Sequence, residues 1–148
     1  MAKTDISYEQ PRVITMNQII VATHAQLAEG FDKAVRFFKS DADNITFINA
    51  YVQDNEFERH LRDELARWTG RNIIVLTDIP GGSVNQVAAK LLAEYGFHLV
   101  TGVNLPLVLE MVMAADDLDD ARIDEIVQQA QGQIIYMNRM LEKGSDTD

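Results

Sequence analysis

Residues 73–83 read Ile73-Ile74-Val75-Leu76-Thr77-Asp78-Ile79-Pro80-Gly81-Gly82-Ser83, and apolar side chains follow at Val84, Val87, Ala88, Leu91, Leu92 and Tyr95. An apolar, β-branched run of this length is what a parallel strand covered on both faces requires. Pro-Gly-Gly then punctuates the chain, and spacings of three and four mark one face of a helix. The same alternation extends in both directions. Ile19-Ile20-Val21-Ala22 and Ile45-Thr46-Phe47-Ile48 precede it, and Phe97-His98-Leu99-Val100 follows. The second run, continuing to Tyr51-Val52, is mixed enough to lie near an edge. Between the runs, Leu27, Phe31, Ala34, Val35 and Phe38 form one helical stripe, and Phe57, Leu61, Leu65 and Trp68 another. Strand and helix alternating four times predict an open α/β sandwich with right-handed crossovers.

After the fourth strand, Asn104 is placed to cap a helix running through Leu105-Pro106, with proline in the permissive first turn. The C-terminal third reads as helix from Ile123, Ile126, Val127, Ala130, Ile134, Met137 and Leu141, with an acidic start at 116–120 suited to the helix dipole. Gly132 weakens that reading, and Gln133-Ile134-Ile135-Tyr136-Met137 is open to an alternative as a strand. Residues 1–16 read as a loose N-terminal extension, 17–141 as one domain and 142–148 as a loose polar tail.

Composition narrows the function. The chain has 148 residues and a net charge of −10, from 13 basic and 23 acidic side chains. Nucleic acid is a poor partner for such a surface, because phosphate neutralisation needs a clustered basic face. There is no cysteine, hence no disulfide framework or thiolate metal site, which fits a reducing cytoplasm. Apolar runs fall short of the ~18 residues that span a bilayer, and the N-terminal stretch lacks the apolar core of a secretory signal.

Open α/β sheets place their sites outside the carboxyl ends of the strands, where strand order reverses. The first strand ends in Thr23-His24-Ala25 and the third in Thr77-Asp78, ahead of Gly81-Gly82-Ser83. If these strands are neighbours, a histidine and an aspartate meet beside a glycine turn. A neutral imidazole is a nucleophile at pH 7. A carboxylate on one ring nitrogen fixes the tautomer, turns the other lone pair outward and stabilises the cation formed on substitution. Gly81 and Gly82 let backbone approach an anion at a helix N-terminus, and Ser83 offers a hydroxyl to a phosphoryl oxygen or a cap to the helix. Asp78 also suits capping a turn. Together these are parts for phosphoryl transfer, where positioning and charge stabilisation dominate. No GxxxxGK[ST] sequence points to a nucleotide P-loop. His60 sits in a charged helix segment and His98 inside the fourth strand; the three histidines give no zinc spacing.

Three stretches, residues 19–30, 76–83 and 101–106, resemble the mannose-type IIA domains of the bacterial phosphoenolpyruvate-dependent sugar phosphotransferase system (PTS). The resemblance implies a three-layer α/β sandwich with a mainly parallel four-stranded sheet in the order 2-1-3-4. It further implies a cytoplasmic phosphotransferase subunit without a cofactor, accepting phosphate from the phosphocarrier HPr and passing it to a IIB domain. Membrane IIC and IID subunits then act downstream. A regulatory phosphohistidine module signalling sugar availability is the alternative. On this resemblance His24 is the phosphorylated residue, Asp78 orients it, and Ser83 lies beside the phosphoryl group. The family also dimerises by exchanging an antiparallel edge strand, which here would require Gln133–Met137 to be extended. The chain departs from the usual pattern in three places. Ala25 replaces the glycine that commonly follows the histidine, and Pro80 and Val84 alter the residues flanking Gly-Gly-Ser.

Overall fold

The computed structural model describes residues 16–146, the side chains of 143, 145 and 146 excepted. Its elements are β1 (Asn17–His24), α1 (Leu27–Phe38), β2 (Ile45–Ala50), α2 (Phe57–Arg67), β3 (Asn72–Thr77), α3 (Ser83–Tyr95), β4 (His98–Thr101), α4 (Leu105–Met113), α5 (Asp120–Gln131) and α6 (Met137–Asp146). The strands form one parallel sheet in the order β2-β1-β3-β4. None of the described helices is long and apolar enough to cross a membrane.

Alternation along the central strands sorts the core into two layers. Ile19, Val21, Ile74 and Leu76 face Ala28 and Val35 of α1, Leu107, Val108 and Met111 of α4, and Ile123 and Ile126 of α5. Ile20, Ala22, Ile73 and Val75 face Phe57, Leu61 and Leu65 of α2 and Val84, Ala88 and Leu91 of α3. β1 and β3 are therefore covered on both sides, as their apolar runs require.

The edges depart from the sequence reading. β4 is only half-buried at every position, because it is the far edge strand. β2 is the other edge, as expected, but it stops at Ala50 rather than continuing through Tyr51-Val52. Tyr51 takes φ +65°, which turns the chain out of the sheet. In α1 the buried line is Ala28, Asp32 and Val35, while Leu27 and Phe38 are exposed. Of the apolar stripe, Val35 is buried and Phe31 packs against the core, while Ala28 and Asp32 complete the packed face in place of Leu27 and Phe38.

The C-terminal third is not one helix. α5 stops at Gln131, Gly132 and Gln133 form a turn, and residues 134–136 adopt neither helix nor strand before α6 begins. The helical stripe therefore breaks where Gly132 supplies no side chain to hold it. α6 also runs through residues 142–146, which were expected to be loose; the extension 1–15 lies outside the described residues.

Two local devices set up the sheet. At its lower end, Asn17 Oδ1 accepts from Asn72 Nδ2 (3.0 Å) and from the Leu118 N–H (3.1 Å), while Asn17 Nδ2 donates to Asp116 O (2.8 Å). Asn72 Nδ2 also reaches Leu118 O (2.9 Å). This amide pair, Asn17 buried and Asn72 half-buried, ties the starts of β1 and β3 to the segment before α5. At the upper end, Ala25 turns β1 outward at φ +52°, a region that costs an L-residue about 1–2 kcal/mol. The strain explains why glycine suits this place.

Asn17→Ala leaves two backbone groups without their partner, so it should lower stability by about 2–3 kcal/mol in urea titration; a loss below about 0.5 kcal/mol would rule out the staple. Ala25→Gly should raise stability by roughly 0.5–1 kcal/mol, since relief of strain outweighs the extra entropy of glycine in the unfolded chain. Unchanged or lower stability in the same titration would contradict the strained turn.

Candidate active site at the carboxyl ends of β1 and β3

The parallel register aligns Ala22 with Thr77 and His24 with Ala50. His24 thus ends the central strand with Asp78 beside it on one side and Tyr51 just past it on the other. Thr23, fully buried, accepts the Ala28 N–H on its hydroxyl (2.7 Å), and Asn49 Oδ1 accepts the Glu29 N–H (3.1 Å). These side chains, rather than Gln26, finish the start of α1.

Asp78 grips His24 twice. One oxygen, Oδ2, accepts from the His24 main-chain N–H and meets ring Nδ1, each at 2.9 Å. The other oxygen accepts the N–H of Ile79 at 3.0 Å, so Asp78 caps its turn as well. Burial alone would raise the pKa of this carboxyl, whose side chain is 8% exposed. The hydrogen bonds and charge of His24 outweigh burial and hold it below its ordinary value of 3.8. An ionised Asp78 only accepts, which puts the ring proton on Nδ1 and leaves the Nε2 lone pair outward.

Nε2 lies 3.3 Å from Ser83 Oγ, and that oxygen accepts from the Tyr51 hydroxyl at 3.0 Å. Ser83 is the first residue of α3, and Gly82 holds the N-cap position without a side-chain bond. The serine hydroxyl is therefore spent on the imidazole, not on capping. Gly81 adopts φ +77° to make the turn. At Gly82 a Cβ would sit 3.3 Å from Ile79 O and 3.5 Å from His24 Cε1, so glycine lets the loop close against the ring. Its N–H is taken by Ile79 O (3.0 Å), which leaves the first turn of α3, rather than Gly82, facing any anion.

The other singled-out residues lie elsewhere. His60 Nε2 binds Asp54 at 3.1 Å, and His98 Nδ1 lies 3.6 Å from Asp120 at the opposite end of the sheet. The stretch 101–106 braces the fold: the Val103 N–H donates to Thr77 O (3.1 Å), and Asn104 accepts from the Leu107 N–H (3.0 Å) while donating to Ala130 O (2.9 Å). Tyr51 is the site residue that sequence reasoning missed. Its one signal was position, directly after the residue that pairs with His24.

The geometry brings together an outward-facing ring nitrogen, an ionised orienting carboxylate and a hydroxyl at a helix start, a set suited to taking up and releasing an anionic group. A family model described as "PTS system fructose IIA component" matches residues 18–131. The PTS system mannose-specific EIIAB component of Escherichia coli (strain K12) is 27% identical over 113 residues, covering 74% of this chain and 34% of that protein. The chain thus spans about a third of the length of the curated relatives it matches. Among solved structures, a protein assigned to the phosphoenolpyruvate-dependent sugar PTS of Klebsiella pneumoniae superposes with a TM-score of 0.80 at 29% identity, over 90% of this chain and 99% of that one. A PTS IIA protein associated with the fucose utilization operon of Streptococcus pneumoniae gives a TM-score of 0.74 at 26% identity, over 88% and 99%. With a family match over well more than half its length, the chain belongs to the mannose/fructose-type IIA components of the PTS.

Proposed function

We propose that this chain is a cytoplasmic phosphocarrier that accepts a phosphoryl group from phosphorylated HPr on His24 Nε2 and passes it to a IIB domain. The observation that carries this reading is the division of labour on one imidazole: Nδ1 is bound to buried Asp78, while Nε2 points to Ser83 on a ring that is 38% exposed. In the forward step the Nε2 lone pair forms a bond to phosphorus as the bond to the donor's ring nitrogen breaks. The electron pair leaves with the donor imidazole. The Nδ1 proton stays on the His24 ring, where Asp78 stabilises the resulting positive charge. The first turn of α3 and the Ser83 hydroxyl face the phosphoryl oxygens. Transfer to IIB is the same exchange with the acceptor's nucleophile. Sugar is chosen in other subunits, since a carrier of this kind touches only protein partners.

A second copy is the fitting partner for the apolar run of Ile134, Ile135, Tyr136, Met137, Met140 and Leu141, all exposed in the single chain. The resemblance to dimeric IIA domains supports this reading. The run's irregular backbone at 134–136 leaves it able to extend against another copy.

Incubation with phosphorylated HPr should give acid-labile, base-stable label on the wild-type chain and none on His24→Ala; label persisting on that variant would reject the site. Asp78→Asn should slow transfer on the order of a hundredfold through loss of the imidazolium partner, and wild-type rates would reject its role. Light scattering should report a dimer for the wild type and a monomer for Ile134→Asp; a monomeric wild type would dispose of the second copy.

A further inference from the structure

Tyr51 has no part in the exchange as described so far, yet three observations aim it at the same atom. Its backbone sits at φ +65°, a region that disfavours any residue bearing a Cβ and is kept where the surroundings impose it. Its ring lies between the site and the core, with centroids 5.7 Å from His24 and 6.4 Å from the buried Phe57. Its hydroxyl donates to Ser83 Oγ at 3.0 Å, and that oxygen is the one 3.3 Å from Nε2. The three groups form a relay in which Tyr51 donates to Ser83 and Ser83 donates to the ring nitrogen.

That relay suits only the unphosphorylated ring. Once Nε2 is bonded to phosphorus it has no lone pair to accept from Ser83, and the phosphoryl group needs the space the serine oxygen now borders. The Ser83 hydroxyl then turns to a phosphoryl oxygen, and the Tyr51 proton is left beside a dianion that accepts far better than a serine hydroxyl.

We propose that Tyr51 is a second hydroxyl ligand of the phosphoryl group, donating directly to a phosphoryl oxygen when His24 is phosphorylated and thereby favouring the phosphorylated state. This rests on the phosphocarrier reading above. Before phosphorylation, Tyr51 holds Ser83 against Nε2; afterwards the two hydroxyls share the phosphoryl oxygens. The position is strained because the ring must leave the β2 edge to reach across the mouth of the site.

The test is the partition of phosphate between HPr and the full chain at equilibrium. One phosphorus–nitrogen bond breaks and one forms, so the ratio reads the stability of phosphorylated His24 directly. Tyr51→Phe keeps the ring and its contacts but removes the donor. It should shift the partition toward HPr by roughly tenfold, with an unchanged melting temperature for the unphosphorylated chain and a displaced phosphorus NMR resonance. The same shift should persist when Tyr51→Phe is placed on Ser83→Ala, since the contact is direct. A wild-type partition in Tyr51→Phe, or an effect that disappears on the Ser83→Ala background, would overturn the proposal. A wild-type chain that takes label neither from phosphorylated HPr nor from phosphoramidate would instead defeat the phosphocarrier reading itself, and the role of Tyr51 with it.

Discussion

One carboxylate oxygen, Asp78 Oδ2, holds both the main-chain amide and the ring of His24. The double contact fixes where β1 ends and which way its last side chain points. It is available only because β3 lies directly beside β1, so the crossover that sends the chain through β2 first is a condition of the site. Through the ring the constraint reaches Nε2, then Ser83 at the start of α3, and then Tyr51 past the end of β2. Three loops from three strands are thereby registered on one imidazole. A carboxylate held below its ordinary range by that imidazole keeps the ring proton on the inner nitrogen.

The opposite end of the sheet is held by different chemistry. Asn72 donates to Asn17, and both side chains bond to the backbone around Leu118, which is itself fully buried. A neutral amide staple suits a place where no charge has to come and go. The two central strands are thus fixed at one end by amides and at the other by a histidine–carboxylate hydrogen bond that responds to the chemistry.

Much of this was legible in the sequence, for identifiable reasons. β1 and β3 announced themselves because strands covered on both faces must be apolar throughout, and Asn104 because a cap needs that side chain at that place. His24, Asp78 and Ser83 were found from their positions at strand ends, and the structure puts all three in contact. The phase of α1 was legible only in part: period picked out Val35 and Phe31, which pack, but kept Leu27 and Phe38, which are exposed, and passed over Ala28 and Asp32. The end of α5 was misread because Ile134, Met137 and Leu141 continue the helical period past Gly132, although all three are exposed. Tyr51 was hidden for a further reason. A tyrosine after a β-rich run looks like more strand, and only its left-handed backbone shows that it has left the sheet.

The helices that begin beside His24 are finished differently. Two amides in the first turn of α1 are already occupied by Thr23 and Asn49, whereas α3 opens at Gly82 with no side chain over it. Only one of the two positive ends is left facing outward, and Nε2 faces the same way. On the phosphocarrier reading this makes the protein a single-berth ferry. On that reading donor and acceptor dock at the same mouth in turn, and an excess of either partner would compete with the other. Throughput then peaks at balanced concentrations of the two, a limit set by the way one helix happens to be capped.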